Sequence, residues 1–203
     1  MKKTLALVLA LCMVFALCAC GKTAAPAETP AEEAAPASLA VCLASEPDTL
    51  DPALNSAVDG ATMVAHLFSG LAKWSQNEEG ALVIVSDLAK ELVEGVVNED
   101  GTVTYTYTLR DGAKWSDGKD VTAGDFEFAW KRAASEELAA DYGYMFEIVK
   151  GYPNDLAVTA KDDKTLEVTL NNAVAYWNEL LAFPTYYPVR EDVVASEAWA
   201  TAP

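Results

Sequence analysis

The stretch that most limits what this chain can become is residues 103–132, VTYTYTLRDGAKWSDGKDVTAGDFEFAWKR. Its first part alternates strictly, with Val103, Tyr105, Tyr107 and Leu109 pointing one way and Thr104, Thr106, Thr108 and Arg110 the other. A period of two in β-branched and aromatic residues predicts a strand with one buried face. Two glycine turns follow, Asp111-Gly112 and Asp117-Gly118, holding Lys114-Trp115 between them. Thr122 then stands where a helix N-cap belongs, with Asp125 three residues on, close to a capping box. Phe126, Ala129, Trp130 and Ala133 recur at helical spacing and define one apolar face. Strand, double turn and capped helix make a unit that contains neither a nucleophile–base pair nor a metal cage.

The flanking sequence predicts more short elements. Leu39 to Ala44 reads as a buried strand, which would make Cys42 a buried, inert thiol. A loop with two prolines and two aspartates, residues 46–52, follows it. Val58 to Leu71 has Met63, Val64, Leu67, Phe68 and Leu71 at helical spacing. Leu71 to Ser75 and Leu82 to Val85 read as strands, and Asp87 to Leu92 as a short helix with an acidic first turn. Val93 to Asn98 pairs with Val103 to Arg110 as a hairpin, and Leu156 to Ala160 with Thr165 to Leu170 as another. Helical segments are expected over Glu136 to Val149, Val174 to Phe183 and Arg190 to Trp199. The fold class is α+β, antiparallel hairpins flanked by helices.

Residues 1–20 are a targeting segment. Lys2 and Lys3 precede an unbroken apolar run, Leu5 to Leu17, well short of the roughly 20 residues that span a bilayer. The run ends in Leu17-Cys18-Ala19-Cys20-Gly21, which resembles a bacterial lipobox, with Cys18 a departure where Ser, Thr or Ala is usual. On that reading residues 1–19 are a signal peptide and Cys20 is the lipidated mature N-terminus. Cys42 is then the single cysteine outside the signal and anchor, so no intramolecular disulfide is expected. Residues 20–38 continue as an Ala/Pro/Glu-rich linker without a large apolar side chain, too little to offset the entropy of ordering. The net charge of −17 argues against a nucleic-acid partner.

Paired carboxylates are plentiful, but Asp48 and Asp51, Asp117 and Asp120, and Asp162 and Asp163 all lie in turns, where aspartate caps backbone donors. His66, the one histidine, has neither a second histidine nor a cysteine beside it to build a metal site. No phosphate-binding loop, dinucleotide fingerprint, nucleophile elbow or Cys-x-x-Cys pair occurs. No catalytic residue, metal or cofactor is expected. Trp115, Trp130, Trp177 and the tyrosines read as core, with a ligand-lining groove as the alternative.

The block at residues 106–132 resembles the signature of the extracytoplasmic solute-binding proteins of family 5, which serve peptide and nickel ABC importers. It is most similar to their oligopeptide-binding branch. Three further pieces agree in order: Glu46-Pro47-Asp48-Thr49-Leu50-Asp51-Pro52, the run at 162–170 and Ala182-Phe183-Pro184-Thr185-Tyr186-Tyr187-Pro188. The resemblance implies the N-terminal part of a two-lobed, type II periplasmic-binding-protein fold. It places the start of ligand-binding lobe I at 39–68, a family-specific extra domain at 69–192 and a return into lobe I at 193–203. It also implies an oligopeptide held by main-chain hydrogen bonds in a hinged cleft. Ser56, Ala57 and Val58 fall where the ligand backbone is met, and Tyr142 falls where an aromatic reaches in from the extra domain. The implied partners are an oligopeptide, ABC permease subunits and, through lipid, the extracytoplasmic face of the cell membrane; a monomer is expected. Family members are more than twice as long, so the chain reads as an incomplete product. A nickel chelate, sugar or other small solute is the alternative ligand within the family. An envelope scaffold lipoprotein is the alternative from another class.

Overall fold

A computed structural model describes residues 38–43, 45–195 and 199. The chain divides into two units, residues 1–42 and 43–203. In the first, residues 38–42 are irregular, and Leu39, Val41 and Cys42 are exposed. The strand expected over Leu39 to Ala44 and the buried thiol expected at Cys42 are therefore both corrected.

The second unit runs α1 (Val58–Leu67), β1 (Ala72–Gln76), β2 (Leu82–Ser86), β3 (Val96–Val97), β4 (Val103–Thr108) and α2 (Ala123–Ala134). It continues through a 3₁₀ turn (Gly143–Ile148), β5 (Val158–Ala160), β6 (Thr165–Leu170), α3 (Trp177–Leu181), a second 3₁₀ turn (Pro184–Tyr186) and α4 (Glu191–Val194). β1 and β2 form an antiparallel hairpin, and the other strands form an antiparallel sheet in the order β3-β4-β6-β5.

Register follows the apolar alternation. Val103, Tyr105 and Tyr107 face Leu170, Val168 and Leu166 across the β4–β6 ladder. Leu166, Val168 and Leu170 are fully buried. The opposite face is polar, where Thr104 meets Thr169 at 3.1 Å and Asn98 donates to Thr102 and Thr104. Moving one strand by a single residue would exchange these faces, which fixes the pairing.

α2 begins as expected: Thr122 accepts from the Asp125 amide and the Asp125 carboxylate accepts from the Thr122 amide at 2.9 Å. Its buried face, Phe126, Ala129, Trp130, Ala133 and Ala134, covers the sheet near β5 and β6. Trp130 is the hub of an aromatic core. It meets Tyr186, Phe146 and Trp177 at ring-centroid distances of 5.2, 6.0 and 6.1 Å, and its Nε1–H donates to the Tyr186 carbonyl at 2.8 Å. Trp177 donates to the Tyr107 hydroxyl, and Tyr186 donates to the Met145 carbonyl. Burial pushes both phenols above their ordinary range.

Three expected helices change form. Residues 87–90 follow a bent, non-helical path: Asp87 and Ala89 donate to the Leu71 carbonyl, Lys90 donates to the Thr108 carbonyl, and Ala89 bridges to Leu109. Helix gives way because Leu88 and Ala89 are both buried between these neighbours. The helix expected from Glu136 starts at Gly143 as 3₁₀, after Ala139 turns the chain at φ 51°. A Cβ on Gly143 would lie 2.8 Å from the Ala133 carbonyl, so only glycine admits this close passage over the end of α2. The final helix is four described residues, Glu191–Val194.

Candidate functional site

The site begins at the buried Asp51. Its Oδ1 accepts from the Ala53 amide at 2.9 Å, and its carbonyl accepts from Leu54 and Asn55. Arg132, in the last turn of α2, grips the carboxylate with both terminal nitrogens at 3.2 and 2.6 Å. Asn55 reaches forward, donating from Nδ2 to the Ala57 carbonyl at 3.1 Å. Beside it, a Cβ on Gly60 would fall 1.9 Å from Asn55 Oδ1. A proline-stiffened turn thus delivers the chain to the start of α1 in one conformation.

Ser56, Ala57 and Val58 follow. Ala57 is extended, at φ −104° and ψ 152°, and supplies no side-chain cap to α1. Val58 is 86% exposed and Ser56 is exposed. Among the described residues the amides of these three have no main-chain acceptor. A helix start leaves its first N–H groups unmet, and here an extended residue precedes it, so a short row of donors is left without a main-chain acceptor. Asp59 lies alongside, held below the usual carboxylate range by the Ser45 hydroxyl and the Gly60 amide. It adds a standing negative charge.

A trough of about 710 Å³ runs along α1, walled by Val58, Phe68, Trp74, Phe183 and Tyr187. Tyr142 is half-buried and meets Phe183 edge-on at 5.2 Å. Phe183 therefore touches Tyr142 and shares the trough with Val58, while Ser56 and Ala57 lie at the α1 start outside the lining. Cys20 lies outside the described residues. A second cleft, of about 570 Å³, is lined by Leu50, Phe68, Leu88, Trp115, Arg190 and Trp199.

The other polar groups do structural work. Asp117 accepts from the Lys119 amide and pairs with Arg190, and that guanidinium holds it below its ordinary range. Asp120 pairs with Lys114, and Asp162 accepts from the Lys164 and Thr165 amides. His66 is exposed, with Nδ1 2.7 Å from the Thr62 carbonyl. Among the described residues no three His, Cys, Asp or Glu side chains gather to hold a metal. Trp130 and Trp177 are core, whereas Trp115 is half-buried and bonds Asp125 from the rim of the second cleft. The Asp51–Arg132 pair escaped sequence reading: the residues are 81 apart, and only an acidic loop and a basic helix end hint at it.

What these parts can do is bind, by main-chain donors beside an apolar trough. That is the equipment of a solute-binding protein. Residues 83–203 match the family described as bacterial extracellular solute-binding proteins, family 5 Middle, and the chain belongs to that family of binding proteins, not of enzymes. It is 37% identical over 175 residues to the oligopeptide-binding protein OppA of Bacillus subtilis (strain 168), an overlap covering 81% of this chain and 30% of that protein. It is 36% identical over 169 residues to the probable deoxycholate-binding periplasmic protein YgiS of Escherichia coli (strain K12), covering 77% and 30%. The structure of Listeria monocytogenes OppA bound to peptide superposes with a TM-score of 0.64 at 35% identity, over 75% of this chain and 31% of that one. The fold is thus part of an OppA-type periplasmic binding protein, mixed α and β with antiparallel sheets. The chain spans about 30% of the length of the curated relatives it matches.

Proposed function

We propose that this chain belongs to the substrate-binding lipoprotein of an ABC importer, which captures oligopeptides by main-chain hydrogen bonding and delivers them to the membrane permease. The observation that carries the reading is the segment Ser56–Val58, in which an extended Ala57 leads into the exposed first residue of α1 and whose amides have no acceptor within the described chain. An extended peptide laid against it gains backbone hydrogen bonds whatever its sequence, and the trough beside Val58 leaves room for a side chain. Tyr142 acts on this site through Phe183. The relatives named for oligopeptides support the same ligand class.

Residues 39–68 serve as the start of the ligand-binding lobe, 69–192 as the extra domain and 193–203 as the return into the lobe. Cys20 carries the lipid; the basic start, apolar run and Cys-Ala-Cys-Gly ending support this. Two buried acyl chains are enough for stable anchoring, where one is marginal. The protein works as a monomer on the extracytoplasmic face of the membrane.

The test is calorimetric titration with a pool of di- to pentapeptides. Residues 22–203 are compared with the product of the complete reading frame, both without the anchor. Heat from the longer protein supports the peptide reading. Heat with deoxycholate and none with peptides moves the ligand to the class named for YgiS. Silence with both sinks the receptor reading in favour of an envelope scaffold.

A further inference from the structure

The row of donors at Ser56–Val58 is not part of a sheet, so its geometry has to be imposed from elsewhere. The means is a continuous path of contacts that starts on a helix far away in sequence. Arg132 holds both oxygens of Asp51, whose side chain is 1% exposed against 17% for the arginine. The same carboxylate takes the Ala53 amide, and the Asp51 carbonyl takes the amides of Leu54 and Asn55. Asn55 in turn holds the Ala57 carbonyl, which also receives the Ala61 amide. Each link fixes the next, and the last is the middle residue of the row.

We propose that Arg132 and Asp51 are positioning residues for ligand capture, setting the main-chain geometry of Ser56–Val58 from α2 through Asn55. This rests on the reading of that row as the ligand site. Backbone hydrogen bonds weaken steeply with distance and angle, so donors that must meet a peptide have to be held before it arrives. A planar, bidentate guanidinium fixes a carboxylate in orientation as well as in place, which a lysine ammonium does not. The arrangement therefore favours arginine at 132.

The test reads local order and affinity separately. Amide exchange is followed by NMR in this chain and in Arg132→Gln, Arg132→Lys and Asn55→Ala, with Lys131→Ala as control, since Lys131 pairs with Glu127 at the exposed surface. Arg132→Gln speeds exchange at Ala53, Asn55 and Ala61 by about tenfold or more, because a charge-assisted pair is lost. Arg132→Lys gives an intermediate rate, Lys131→Ala gives none of the effect, and the amides of Leu166 and Val168 keep their rates throughout. Peptide affinity of the complete protein falls in the same order. Should Arg132→Gln lose its cooperative unfolding transition, Asn55→Ala, which leaves the ion pair intact, decides the matter at Ala61. Unchanged exchange at these amides overturns the proposal, as does an equal rise in β6, which would mark plain destabilisation. If the unaltered complete protein binds no peptide, the ligand reading falls, while the exchange rates still decide whether Arg132 orders the row.

Discussion

Replacing Trp130 by phenylalanine tests the core argument quantitatively. The indole is fully buried and packs edge-on against Phe126, Trp177 and Tyr186 at 88°, 89° and 77°. Phenylalanine keeps a ring in place but removes the Nε1–H that serves the Tyr186 carbonyl. A buried acceptor left without a donor costs about 1–3 kcal/mol. The missing ring atoms, equivalent to roughly two methylenes, cost about 1.6 kcal/mol more at about 0.8 each. The expected loss is about 2.6–4.6 kcal/mol, or roughly 5–18 °C in Tm for a chain of this size. Trp130→Ala, at about 3–5 kcal/mol for the cavity plus the same orphaned carbonyl, would take most of a typical stability of about 5–15 kcal/mol. The phenylalanine variant is therefore the informative one. Urea unfolding followed by far-UV circular dichroism measures it, beside Trp74→Phe, where the indole is 52% exposed and a change within about 0.5 kcal/mol is expected. The reasoning fails if Trp130→Phe costs less than about 1 kcal/mol, or if the two variants cost the same.

Thr122→Ala removes one half of the capping box and should lower stability by about 1 kcal/mol, read from the urea midpoint at constant slope. Gly118 and Gly151 both have positive φ, but a Cβ at Gly118 meets nothing while one at Gly151 falls 1.8 Å from the Asp155 carbonyl. Gly118→Ala should therefore cost about 1 kcal/mol and Gly151→Ala clearly more, and equal melting temperatures would refute the distinction. The Thr102 hydroxyl and amide, with Lys150, lower the Asp100 carboxyl from 3.8 to about 2. A lowered carboxylate pKa gives stability that is fully present above the unfolded value and is lost as pH falls through the folded one. Carboxyl NMR should place the Asp100 midpoint near pH 2, and Asp100→Asn should flatten the decline in Tm between about pH 4 and 2. Cys20→Ser should abolish incorporation of labelled palmitate in cells; labelling that persists would remove the anchor from the proposal.

Local sequence carried much of the architecture because the signals act within a few residues. Alternation over Val103–Leu109 set the faces of β4, and Thr122 with Asp125 set the start of α2. The same logic erred where a distant partner chose the conformation. The acidic, helix-compatible segment at 87–92 is held in a bent, non-helical path by Leu71 and Thr108, and residues 39–43 have the composition of a strand but form none. The resemblance points to Ser56–Val58 as the proposed site, but nothing in the local sequence points to the contacts that reach Ala57. Nor could the sequence place Phe183 between Tyr142 and the trough.

By itself, then, the sequence determined the family, the two local hairpins, the capped helix and the absence of a recognisable catalytic motif, because periodicity, caps and turns are written in neighbouring residues. Tertiary structure decided which aromatic rings became core and which lined a cleft, where Asp51 found its counter-ion, and which backbone amides were left without an acceptor among the described residues. Those outcomes depend on groups up to 81 residues apart, brought together by burial of a common core, and no short window of sequence contains both partners.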